Sequence, residues 1–200
     1  MGLSIRFDRK YLNVHPKSGK IYFTYNSIEK LPEWPEGPLL EIINGELFIL
    51  PSPSIKHQEI SLNLAALLKQ FVEEHELGKI LVAPVDVVLS DDNAVIPDII
   101  FIKKERKDII KEKNIHGIPD FVVEILSTNK KRDLKDKMEL YETYQLQEYW
   151  VINPFEDEVM IYSFNRQEGK FNEPARFKKA ENVSSQVIKD FQVKVIDIFS

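Results

Sequence analysis

Two hundred residues, 43% hydrophobic and 30% charged, suit one globular domain with room beside it for a short extension. The absence of cysteine excludes a disulfide framework, a thiolate zinc site and a cysteine nucleophile. A net charge of −5 argues against a protein that coats nucleic acid through bulk charge.

The N-terminus carries Arg6, Asp8, Arg9 and Lys10 and has no apolar targeting core. The apolar runs fall far short of a membrane span, so a cytoplasmic protein with no membrane partner is expected. Residues 1–30 read as an N-terminal extension, with IYFTYNSI (21–28) as a strand, and 31–200 as the domain. LPEWPEGP (31–38) breaks regular structure with three prolines. LLEIINGELFILP then reads as a hairpin turning at Asn44-Gly45. Helical spacing of Ile60, Leu64, Leu67, Leu68 and Phe71 predicts a helix over 57–77, entered at Ser54 and closed by Gly78. Strands follow over 79–89 and 94–102, joined by the turn SDDN, and FVVEIL (121–126) has the length of a buried strand.

A second helix is expected from Asp133 to Leu146, with Leu134, Met138, Tyr141 and Gln145 on one stripe. EYWVINP (148–154) and EVMIYSF (158–164) are strands around a turn, and VKVIDIF (193–199) is a candidate last strand. Alternating helices and strands predict an α/β or α+β fold around a mixed sheet.

Three acids interrupt apolar strand patterns: Asp86 in APVDVVL, Asp98 in VIPDIIFI and Glu124 in FVVEIL. The ordinary explanation is a strand with one solvated face. FVVEIL is nearly apolar on both faces, however, so an ionised Glu124 needs a partner or a cleft. If the Asp98 and Glu124 strands are neighbours, two carboxylates converge, and oxygen ligands with open positions suit Mg²⁺ or Mn²⁺. Asp133, Lys137 and Tyr141 share a helical face. Lys137 is either one member of a solvated charge run or a cation directed at the Glu124 cleft.

The ordered set LLEIINGEL, SPSIKHQEIS, APVDVVL, VIPDIIFI, FVVEILS, RDLKDKMELYETY and EYWVINP resembles the Uma-two family of endonucleases, within the PD-(D/E)xK, restriction-endonuclease-like superfamily. The resemblance runs from about Leu31 to Phe164. It implies a mixed β-sheet flanked by helices and a metal-dependent phosphodiesterase centre. Pro97-Asp98 matches the PD element, and Glu124 matches the (D/E) position, making Asp98 and Glu124 the expected metal ligands. The usual lysine two residues on, which would share Glu124's face, is here Leu126, and Lys137 is the matching substitute from a helix. The family also expects an earlier acid, and Glu41 and Glu46 both fit. His57 belongs to the family's helix-start pattern, as a general base, a phosphate contact or a polar residue of the helix entry.

Residues 103–137 hold 11 Lys and Arg against 7 Asp and Glu, a net of +4 that leaves −9 for the rest of the chain. Lys131 and Arg132, after the Glu124 strand, are candidate phosphate contacts. The expected activity is that of a Mg²⁺-dependent endonuclease acting on DNA. Leu126 favours the alternative, a catalytically inactive nuclease fold that binds nucleic acid or a protein. The aromatic strand residues Phe121, Tyr149 and Trp150 would serve a homodimer if they pair across two chains.

Overall fold

A computed structural model describes residues 13–14, 21–29, 39–127 and 135–200. Strands β1 (Asn13–Val14) and β2 (Ile21–Tyr22) pair antiparallel. The strand expected over 21–28 stops after two residues and gives way to α1 (Tyr25–Glu29). Local capping explains the switch: Ser27 N donates to Thr24 Oγ1 (3.3 Å), and Thr24 N donates to Ser27 Oγ (3.1 Å). Two backbone bonds fasten this segment to the domain, Phe23 N donating to Gly45 O and Tyr25 N to Asp91 O.

The Asn44-Gly45 hairpin forms as expected between β3 (Leu40–Ile43) and β4 (Glu46–Ile49). Both turn residues adopt positive φ, 51° and 77°, the backbone that lets a two-residue turn match strand twist. Helix α2 (Ile55–Glu74) starts at Ser54, whose side chain accepts from His57 N, and buries Ile60, Leu64, Leu68 and Val72 along one stripe. Gly78 does not terminate this helix. It opens β5 (Gly78–Val82), where a Cβ would lie 2.1 Å from Ile102 O, so only glycine permits that strand approach.

Two prolines divide the strands expected at 79–89 and 94–102. Pro84 separates β5 from β6 (Val87–Ser90), and Pro97 separates β7 (Asn93–Val95) from β8 (Ile99–Lys103). Proline has no amide to donate, so the ladder stops and the chain passes to another sheet. A 3₁₀ turn (Lys104–Ile109), β9 (Ile115–His116) and β10 (Phe121–Ile125) come next. The remaining elements are α3 (Lys137–Thr143), β11 (Glu148–Asn153), β12 (Glu158–Asn165), β13 (Lys170–Phe171), β14 (Ala175–Lys178), β15 (Asn182–Ser184), β16 (Gln192–Lys194) and α4 (Val195–Phe199). The expected last strand is therefore mostly the helix α4, with Val195 and Ile198 buried at helical spacing.

The main mixed sheet runs β13-β12-β11-β10-β8-β5, with β14 also on β12 and β10·β11 parallel. A second sheet runs β4-β3-β7-β6-β9. Strand alternation divides the core between the two faces of the main sheet. Ile99, Phe101, Val123 and Ile125 pack with α2 and α4, while Ile100, Ile102, Val122 and Leu126 pack with α3 and the second sheet. Phe121, Tyr149 and Trp150 are fully buried in this core, which removes the basis for pairing them across a dimer. Among the described residues, no helix is long and apolar enough to cross a membrane.

Candidate active site

Strand register brings the two principal acids together. Val123 pairs with Ile99 across antiparallel β10 and β8, so Glu124 and Asp98 face each other one rung further on. Asp98 sits where Pro97 has ended the previous strand. Its Oδ2 accepts from Ile125 N at 2.7 Å, which locks the carboxylate to the Glu124 strand.

Glu124 is buried, and its Oε1 accepts from both Lys137 Nζ and Tyr141 OH, each at 2.8 Å. Lys137 Nζ also lies 2.8 Å from Glu41 Oε1, which accepts from Ile96 N at 2.9 Å. Glu41, Glu124 and Lys137 are at most 5% exposed in their side chains. One ammonium thus bridges two carboxylates supplied by β3 and β10. Burial by itself would depress the Lys137 pKa, but the charges of Glu124 and Glu41 outweigh it and hold the amine above its ordinary range. Burial and the Glu124 charge likewise push Tyr141 well above the usual phenol range, leaving it a neutral donor.

Lys137 and Tyr141 are one turn apart on α3 and point to the same side. The ring of Tyr141 stands edge-on to Tyr149 of β11 at 5.1 Å, which fixes the hydroxyl. The stripe expected on this helix differs in detail. Lys137, Leu140 and Tyr141 are buried, whereas Gln145 is exposed and takes φ 56° beyond the helix end. Leu134 lies outside the described residues. Leu126 is buried among core residues, and the cation beside Glu124 comes from α3.

His57 stands in the first turn of α2 with Nε2 3.3 Å from Asp98 Oδ2, both side chains mostly buried. Glu46 is exposed on β4 and does not line the cleft, so of the two early acids the geometry brings only Glu41 to Lys137. Register gives the reason: Glu41 pairs with Phe48 and Glu46 with Ile43, so the two acids share a face of the hairpin, but Glu46 stands next to the turn, farther along the ladder from Lys137. Asp86 is not in the cleft; its Oδ2 accepts from Tyr25 OH at 2.7 Å, tying α1 to the second sheet. His75 and His116 are exposed. Lys131, Arg132 and His15 lie outside the described residues.

Asp98, Glu124 and Lys137 lie in an open cleft of about 510 Å³. One wall is the chain after β4 (Leu50 to Ser54) and the start of α2, and another is the β11–β12 turn with Pro154 and Phe155. Sequence reasoning missed Phe155 and the structural pairing of Tyr141. Tyr141 was legible as a face-mate of Lys137, but Phe155 carries no local signal beyond its place after Pro154.

The mixed sheet flanked by helices is a restriction-endonuclease-like fold. The structure is similar to the crystal structure of "a putative nuclease belonging to DUF820" from Anabaena variabilis ATCC 29413. That match has a TM-score of 0.73 and 21% identity, over 88% of this chain and 97% of that one. The Uma2 family, described as "Putative restriction endonuclease", matches residues 27–196, and the chain belongs to it. No curated protein matches the chain.

Restriction-endonuclease-like proteins generally use divalent metals, and the donor set here fits a hard cation. Asp98 and Glu124 offer carboxylate oxygens from facing rungs in one cleft, and the chain has no thiolate. Among the described residues, no group of three or more His, Cys, Asp or Glu is arranged to enclose an ion.

Proposed function

We propose that this protein is a metal-dependent endonuclease that hydrolyses phosphodiester bonds of DNA at the cleft containing Asp98 and Glu124. The observation that carries this reading is the Lys137 ammonium, buried between Glu41 and Glu124 at 2.8 Å from each, at an opening to solvent. A burial this costly for three charged groups gives little stability that apolar side chains would not give, and it suits a site that handles charge.

In this reading Asp98 and Glu124 hold Mg²⁺ or Mn²⁺. When bound, such an ion polarises a phosphoryl oxygen and acidifies water. Lys137 stays protonated through neutral pH, so it acts as a fixed positive charge toward the phosphate and not as a base. Tyr141 and Lys137 together orient Glu124 through Oε1. Glu41 holds Lys137 from the opposite side, itself positioned by Ile96 N. His57 supports the Asp98 carboxylate at the helix entry.

The test is incubation of the purified protein with plasmid DNA and Mg²⁺ or Mn²⁺, against EDTA and against Glu124→Ala. Metal-dependent nicking that the substitution removes is expected; an absence of such nicking with both ions sinks the catalytic assignment. A second reading, a non-catalytic nuclease fold, is favoured by Leu126 at the usual lysine position, buried in the core. It predicts no heat of Mg²⁺ or Mn²⁺ binding in a calorimetric titration.

A further inference from the structure

One side chain joins two walls of the cleft. Lys56, in the first turn of α2, donates from Nζ to Pro154 O and, at 3.0 Å, to Asp157 Oδ1 on the β11–β12 turn. Each wall also leads to one of the two carboxylates. Lys56 precedes His57, whose Nε2 is 3.3 Å from Asp98 Oδ2, and Pro154 follows β11, whose Val151 pairs with Glu124. Lys56, Pro154, Asp98 and Glu124 all line the same opening.

The pair that joins the walls is open to water, with the side chains of Lys56 and Asp157 51% and 40% exposed. An ion pair of this kind adds little to stability, because water and salt screen it and two flexible side chains must be ordered to make it. Exchanging one anion for another on Lys56 therefore disturbs the fold little. A strand held by one phosphate at Asp98 and Glu124 brings its neighbouring phosphates to the cleft walls at high effective concentration. Lysine, a compact ammonium on a flexible stem, can follow such a phosphate. Asp157 has the sign of the substrate, so it competes for the ammonium and repels the strand.

We propose that Lys56 binds a backbone phosphate of the substrate next to the one at Asp98 and Glu124, and that this phosphate displaces Asp157 from the ammonium. This inference rests on the nuclease reading and deepens it by naming a substrate contact outside the carboxylate–lysine centre. Asp157 keeps Lys56 at the mouth of the cleft and weakens binding while it does so. Removal of the lysine and removal of the aspartate therefore act in opposite directions on affinity. A crosslink that only held the two walls together would lose affinity either way.

The test measures fluorescence anisotropy of a labelled DNA oligonucleotide, single-stranded and as its duplex, with Ca²⁺ in place of Mg²⁺; the form that binds tighter is used throughout. Lys56→Met should weaken binding about fivefold to tenfold. It should also flatten the dependence of log affinity on log salt by about 0.9 for duplex or about 0.7 for single strand, the loss of one phosphate contact. Lys56→Arg should retain the affinity. Asp157→Asn should tighten binding by up to about fivefold, the range for an exposed ion pair. Asparagine suits that turn, because residue 157 has φ 47°. In the double variant the gain from asparagine should vanish. Both positions are exposed, so thermal unfolding of each variant should stay near that of the wild type. An unchanged affinity and salt dependence in Lys56→Met, or weaker binding by Asp157→Asn, overturns the proposal and leaves the nuclease reading intact. A gain from Asp157→Asn that persists without Lys56 is a plain charge effect and overturns the displacement. Failure of the wild type to bind either form overturns both readings.

Discussion

Two buried glutamates on neighbouring parallel strands solve the same problem in different ways. Glu124 of β10 sits beside an ammonium and a phenol at the edge of a cleft. Glu148 of β11 is fully buried and accepts from Trp150 Nε1 (2.6 Å), Gln186 N (2.6 Å) and Val187 N (3.1 Å). Burial pushes the Glu148 pKa up, and those hydrogen bonds only partly oppose it. Glu148 therefore stitches the 185–188 turn to the sheet without needing a counter-charge. A buried acid alone does not mark a reactive centre; what separates Glu124 from Glu148 is the shared ammonium and the cleft beside it.

That contrast is broken most directly at Glu124. Glu124→Ala should lower metal-dependent cleavage by about a thousandfold or more, read as plasmid nicking rate. Comparable loss from Glu148→Ala in a correctly folded protein would erase the distinction between the two acids.

Lys137→Met comes next. It leaves Glu41 and Glu124 buried without their shared cation and should cost about 3–5 kcal/mol in urea unfolding. Because the folded state holds the Lys137 proton more tightly than the unfolded chain does, its contribution is complete below the ordinary lysine pKa of 10.5 and declines as pH rises above it. Wild type should therefore lose stability relative to Lys137→Met on the alkaline side, and a parallel pair of curves there would contradict the ion triad.

Tyr141→Phe removes a donor to Glu124 Oε1 and should cost about 1.5–3 kcal/mol, the range for a hydrogen bond to a charged group. Glu148→Gln sharpens the other half of the comparison. A raised carboxyl pKa means that the folded state binds the proton more tightly, so wild-type stability falls as pH rises from 4.5 through the folded pKa. The difference between wild type and Glu148→Gln in urea midpoints should shift in the variant's favour across that window. The smallest effect belongs to Glu46→Gln, exposed on β4, which should change stability by about 0.5 kcal/mol at most and leave cleavage unchanged.

Much of this was readable from local pattern. The Asn44-Gly45 turn, the apolar stripe of α2 and the doubly buried β10 come from rules that act over a few residues. The strand breaks at Pro84 and Pro97 are visible as prolines, but only the sheets reveal that each break moves the chain between layers. The C-terminal VKVIDIF pattern is short enough to satisfy a strand or a helix, and packing of Val195 and Ile198 against α2 and the main sheet decided for α4. Glu148 had no local signature because its backbone donors, Gln186 and Val187, lie almost forty residues away, and Trp150 alone would not have revealed them.

By itself the sequence determined the residue types of the site: oxygen donors without thiolates, an acid after Pro97, an acid inside FVVEIL and a helix lysine that the family resemblance matched to the role left open at Leu126. Tertiary structure decided which of them meet. It brought Glu41 and not Glu46 to Lys137, set His57 against Asp98 and placed Phe155 over the cleft. The reason is physical: side-chain chemistry is local to a residue, whereas convergence depends on strand register and on helix placement across a shared core.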